Sequence, residues 1–258
     1  MTYKIIETHC HLDYLKDFPL EEILSVAKTD GGVEKILTIS VEPDNFDSVM
    51  ALADKYPEVY FTQGIHPHDA KLQNEESFQK IEDRASHPKM LAVGEIGLDY
   101  HYDNSPRDIQ IEVFKRHLEL AIKLEKPVVI HSRDADEDMI RILSEYAPRM
   151  KNTGVIHSFT AGIELAKKAL ELGFYLGFNG IITFKSAKNV REIVKITPLN
   201  RILLETDSPF LTPVPHRGKE NSPKNLPFIL EKVAEIKEVE PSQVEEVTYK
   251  NAIDIFKF

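Results

Sequence analysis

Two rhythms of apolar and polar positions alternate along the chain. Short β-branched or apolar runs occupy residues 4–12, 35–41, 59–65, 90–98, 127–131, 154–159, 174–178 and 201–206, and their length and Val/Ile content suit strands. Between them lie stretches with a helical period at 20–28, 45–55, 75–86, 106–125, 136–146, 163–172, 188–195 and 225–237. The clearest is 106–125, where Ile111, Phe114, Leu118, Ala121 and Leu124 return on one face. Strands separated by helices at this pace pair in parallel through right-handed crossovers. Eight such units in 258 residues, with no Gly/Ser/Pro-rich linker dividing them, predict one α/β domain over 1–258, a closed (β/α)8 TIM barrel. An extra C-terminal helix at 243–255, with Ser242 and Glu245 as its capping box, is predicted to cover one end.

Composition narrows the class. Hydrophobic residues make up 42% and charged residues 29%, the balance of a chain able to bury a full core. Cys10 is the only cysteine, which excludes an internal disulfide framework and suits a reducing compartment. No apolar stretch has the length of a membrane span and the start lacks a secretory pattern, so the expected location is cytoplasmic, with no membrane contact. A net charge of −10 argues against a broad basic face for duplex nucleic acid, but leaves room for a local site where bound cations supply positive charge.

Candidate chemistry begins at Glu7-Thr8-His9-Cys10-His11. Side chains alternate faces along a strand, so His9 and His11 point one way, with Glu7 a step below them. In a TIM barrel, functional residues belong at the carboxyl ends of strands. The chain places Gly64-Ile65-His66-Pro67-His68, Gly94-Glu95-Ile96-Gly97-Leu98-Asp99, Val129-Ile130-His131-Ser132-Arg133, Val155-Ile156-His157-Ser158 and Glu205-Thr206-Asp207-Ser208-Pro209 there. Six of the ten histidines fall in such positions, whereas His117 sits in mid-helix and reads as a surface or packing residue. Alone, Glu95 equally suits a buried ion pair, and Asp207 a turn. Together, His9, His11, His131, His157, Glu95 and Asp207 offer more donors than one tetrahedral ion needs. Two divalent cations bridged by Glu95 are the economical solution. The nitrogen-rich set leans to Zn, Mn, Co or Ni over the oxygen-preferring Mg.

These motifs, in this order and across essentially the whole chain, resemble the TatD-type metal-dependent hydrolases, deoxyribonuclease-like members of the amidohydrolase-type barrels. The resemblance implies that His9, His11, Glu95 and Asp207 hold one ion, and Glu95, His131 and His157 the second. It also implies hydrolysis of phosphodiester bonds, with DNA or nucleotides as partners and no obligate protein partner. Glu7 departs from the Asp usual in the family; its longer arm is expected to act behind the ligands with a modest effect.

The residues themselves supply a mechanism. Paired cations would activate a water, with Asp207 as general base and Glu95 as the bridge. His66 is free to donate to the phosphate or leaving oxygen. Arg133, two residues past His131, could grip a phosphate or else pair with Asp134 or Asp136. After the last strand, Arg217 and Lys219 precede Ser222-Pro223, a good helix start, and this loop is the expected seat for the nucleotide backbone. Tyr100, Tyr102 and Phe159 are candidate stacking residues for single-stranded bases. Rival readings keep the site but cleave amide or ester bonds, such as D-aminoacyl linkages, or make the barrel a non-catalytic metal-binding module.

Overall fold

A computed structural model describes residues 3–258. Eight parallel strands follow one another in chain order: β1 (Ile5–Cys10), β2 (Val33–Ile39), β3 (Val59–Gln63), β4 (Met90–Asp99), β5 (Val128–Arg133), β6 (Gly154–Ile156), β7 (Tyr175–Phe178) and β8 (Ile202–Leu204). Around them lie α1 (Leu20–Thr29), α2 (Phe46–Lys55), α3 (Glu75–Arg84), α4 (Arg107–Lys123), α5 (Asp136–Tyr146), α6 (Ile163–Glu171), α7 (Lys188–Ile196), α8 (Leu226–Lys237) and α9 (Pro241–Phe256). The architecture is the TIM barrel with an added C-terminal helix.

The strand alternation sorts the core into two layers. Ile36, Phe61, Val93, Val128, Ile130, Leu176 and Leu204 pack under the helices. Ile6, Leu37, Val129, Val155 and Leu203 come from strands all round the sheet and meet inside the barrel, together with Ala252, Ile255 and Phe256 of α9. The added helix therefore plugs the amino-terminal end. There the buried Asn251 amide donates to the carbonyls of Leu199 (2.9 Å) and Ile202 (2.8 Å). Its start differs from the expectation: Pro241, pre-set for the first helical position, begins the helix after Glu240, and Glu245 instead accepts the amide of Lys4 at 2.7 Å. His117 is buried, donating from Nδ1 to Val113 O (2.8 Å) against Phe78.

At the carboxyl end the strands depart from their predicted lengths. β4 and β5 run on to Asp99 and Arg133, while β6 and β8 stop at Ile156 and Leu204. Soon after these stops, Ser158 and Asp207 take left-handed backbone conformations (φ 45° and 56°), which end strand pairing. The register between β1 and β2 slips between Glu7 and Cys10, and that between β4 and β5 slips between Gly94 and Ile96. The second slip turns the Glu95 amide to Ser40 O (3.0 Å). It needs close backbone contact: a Cβ added at Gly64 would come within 2.7 Å of the Gly94 carbonyl carbon.

Because the plug lies opposite the mouth, its packing is expected to act on stability alone. Phe256→Ala should cost about 3–5 kcal/mol, roughly 10 °C in Tm for a chain of this size. Urea unfolding and elemental analysis check this: lower stability with unchanged metal content is the expected pair of results.

Candidate metal centre

Six strand ends deliver their donors to one point. Glu95 is its centre: its Oε1 lies 2.8 Å from His157 Nε2, 3.2 Å from His131 Nδ1 and 3.3 Å from His66 Nε2. Its Oε2 lies 3.2 Å from His9 Nε2. Asp207 Oδ1 sits 3.5 Å from His11 Nε2 and 3.7 Å from His9 Nε2. Three sets of donor atoms lie within 4.8 Å of one another: His9–Glu95–His157, His9–His11–Asp207 and His66–Glu95–His131. All six residues expected to hold metal are thus brought together. His66, expected to contact substrate, joins them beside His131.

Hydrogen bonds at the far side of each ring decide what the near side can do, because a neutral imidazole that donates from one nitrogen offers a lone pair on the other. His131 places Nε2 against Asp99 Oδ2 (2.9 Å), leaving Nδ1 towards Glu95. His11 places Nδ1 against Ile39 O (3.3 Å), leaving Nε2 towards Asp207. His157 turns Nδ1 towards Glu205 Oε1 at 3.7 Å, leaving Nε2 towards Glu95. His66 is the reverse: its Nδ1 accepts the His68 amide (3.2 Å), so in the neutral ring Nε2 carries the proton. His66 is built as a donor, whereas His11, His131 and His157 are built as ligands.

Electrostatics fits that division. Burial opposes ionisation of Glu95 and Asp207, but His157, His66 and His9 around the first, and His11 and His9 around the second, outweigh it and hold both below the usual carboxylate range. Burial also opposes charge on His131 and His157, yet Asp99 and Glu95 around the first, and Glu95 and Glu205 around the second, raise both. Burial and the neighbouring His131 push His66 down to about 4, so it stays neutral. His9 and His157 stack at 3.7 Å, and both nitrogens of each ring are buried without a hydrogen-bond partner. Such orphaned groups cost about 1–3 kcal/mol each unless satisfied. Convergent nitrogen lone pairs beside two ionised carboxylates are the donor set of a divalent transition metal.

Several supporting residues show their role only in the folded chain. Asp99 Oδ2 takes both His68 Nε2 (3.0 Å) and His131 Nε2, while its Oδ1 accepts the amides of His101 and Tyr102 at 3.0 Å each. Glu205 accepts the Ser158 amide at 2.6 Å, and Gly177 leaves it space, since an added Cβ would approach Glu205 Oε2 to 2.4 Å. The signal was the period of two: Glu95-x-x-x-Asp99 on one strand and Glu205-x-Asp207 after another. Glu7 touches no imidazole. Its carboxylate accepts the amides of His9 (3.1 Å) and Thr206 (2.9 Å), and burial pushes it up to about 8.

The centre floors a cleft of about 1630 Å³. Arg133 lines it, over the Tyr102 ring at 5.0 Å, while the alternative partners are otherwise engaged: Asp134 with His101 and Asp136 with the Gly162 amide. Arg217 and Lys219 do not line it, contrary to expectation. Glu220 ties their loop to the amides of Lys16 and Asp17, Arg217 stacks on Phe184 at 3.6 Å, and the turn at Pro223–Asn225 packs on α1. Ser222 makes no side-chain cap. Tyr100 and Tyr102 line the cleft, whereas Phe159 is core, at 2% exposure.

Comparison with known proteins points the same way. The sequence model of the family described as TatD related DNase matches residues 6–257. YabD of Bacillus subtilis (strain 168), described as an uncharacterized metal-dependent hydrolase, is 40% identical over 98% of this chain and 99% of its own. YcfH of Escherichia coli (strain K12), described likewise, is 36% identical over 98% of this chain and 95% of its own. The crystal structure of YjjV, a TatD homolog from E. coli K12, superposes with a TM-score of 0.92 at 29% identity over the full length of both chains.

Asp99 fixes the tautomer of His131, so Asp99→Asn should weaken metal binding about 10- to 100-fold. Competition against a chromophoric chelator measures this. Unaltered affinity would show that His131 needs no such partner.

Proposed function

Since the chain belongs to the TatD-related family and is a metal-dependent hydrolase, we propose that it is a deoxyribonuclease that cleaves phosphodiester bonds of DNA, in single strands or at ends, with two divalent cations. The observation that carries this reading is the sharing of Glu95 between two donor sets, His9–Glu95–His157 and His66–Glu95–His131. By the family resemblance, His9, His11, Glu95 and Asp207 would hold one cation, and Glu95, His131 and His157 a second. When bound, such ions polarise the phosphoryl group and lower the pKa of water.

The chain's own groups do the rest. Asp207, held ionised at the mouth, accepts the proton of the attacking water through a carboxylate oxygen. His66 presents Nε2–H to a phosphoryl or leaving-group oxygen, and its neutrality makes it a hydrogen-bond donor that keeps its proton. Arg133, on the cleft wall with neither neighbouring aspartate engaged to it, offers a planar guanidinium to the substrate phosphate. Asp136, Glu137 and Asp138 line the same cleft. Their charge opposes a long polyanion lying across the mouth and favours an end or a flexible single strand.

Amide or ester cleavage is the second reading, and the same acidic wall favours it, because an uncharged or cationic substrate meets no repulsion there. Metal-stripped protein reloaded separately with Zn, Mn, Co, Ni or Mg should be assayed on single- and double-stranded DNA, a generic phosphodiester and D-aminoacyl esters. Single-stranded DNA is expected to be cleaved best and chelator to abolish cleavage; faster turnover of aminoacyl esters sinks the nuclease reading. Asp207→Asn should lower kcat by about 10²- to 10⁴-fold while the protein still binds metal.

A further inference from the structure

Beside the donors stands an aromatic corner that no catalytic role absorbs. Tyr14, at the end of the short turn Leu12–Tyr14 after β1, lies nearly parallel to His11 with ring centroids 5.4 Å apart and 21° between the planes. Phe210 meets His11 edge-on at 6.1 Å and Tyr14 at 6.5 Å, with 80° between the two aromatic planes. Both line the cleft, and Phe210 is 51% exposed.

That exposure comes with a pinned backbone. The Phe210 amide donates to Asp207 O (2.9 Å), and its carbonyl accepts the buried Asn221 amide group (2.7 Å). The turn that aims Asp207 at the histidines therefore also fixes where the Phe210 ring stands. A large ring left in solvent on a rigid support forgoes burial that a flexible loop would regain by folding inward. Tyr14 and Phe210 direct no charge into the corner, so it recognises a flat face by stacking rather than a particular set of hydrogen bonds.

We propose that Tyr14 and Phe210 form a base-stacking subsite that receives the nucleobase flanking the scissile phosphodiester. It rests on the nuclease reading above. Asp207 and His11 mark where the phosphodiester reacts, and the base hangs one sugar away from it, on the side where the two rings stand. Stacking tolerates every base, so the subsite confers a requirement for a base, with little choice among bases.

The test uses metal-loaded protein and two single-stranded oligonucleotides of equal length, one of deoxyadenylates and one whose sugars carry no base. Wild-type protein should show a KM about ten-fold or more lower for the base-bearing strand, the range of one aromatic–base stack. In Phe210→Ala that KM ratio should collapse towards one, and Phe210→Trp should restore it. A 2-aminopurine placed in the strand should lose fluorescence on binding wild-type protein and keep it with Phe210→Ala. Equal KM values in wild-type protein, or equal loss on both strands in Phe210→Ala, overturn the subsite and leave the nuclease reading standing. Cleavage of neither strand sinks the nuclease reading and the subsite with it.

Discussion

The carboxylate of Glu7 accepts the amide of Thr206, 199 residues further along the chain. Just above it, the Asp207 amide donates to His9 O (2.9 Å) and the His11 amide to Ser208 O (2.8 Å). These bonds join the first strand to the segment after the last, and everything at the mouth depends on them. Without them His9 and His11 would stand at one open edge of a sheet and Asp207 at the other. Closing the barrel and assembling the His9–His11–Asp207 set are one event. The long arm of Glu7 reaches across the seam to do what a backbone carbonyl does elsewhere in the sheet.

Once the seam is shut, a second layer of acceptors gives each imidazole its part. Asp99, Ile39 O and Glu205 take or face the outer nitrogens of His131, His11 and His157, and each inner nitrogen is left to bind. The His68 amide does the reverse to His66. His131, His11 and His66 thus separate into ligands and a donor through their hydrogen bonds, and His157 through the carboxylate that faces its outer nitrogen. Their crowding around two ionised carboxylates, with buried nitrogens left unpaired, is stable only if positive charge takes its place among them.

The left-handed residues at the mouth show how the barrel's regularity is broken for use. Ser158, two residues past β6, and Asp207, three past β8, take left-handed conformations at a cost of about 1–3 kcal/mol each for a non-glycine residue. The same turn pins Phe210, whose amide donates to Asp207 O at 2.9 Å.

Much of this was legible in the chain. Eight apolar runs spaced by helical stretches specify a barrel because a parallel strand needs a crossover, and donors at the runs' carboxyl ends specify which rim is active. His9, His11, Glu95, His131, His157 and Asp207 could be named because residue type and strand end are both written in sequence. What remained hidden depends on contacts between distant segments. The tautomer of His66 is set by the His68 amide, the place of Glu7 by the Thr206 amide across the seam, and the absence of Arg217 and Lys219 from the cleft by Glu220 bonding to the amides of Lys16 and Asp17. Hydrophobic period reports which face a residue takes, but it carries no record of the partner that waits there; only the folded chain, by bringing the two ends of the barrel together, decides that.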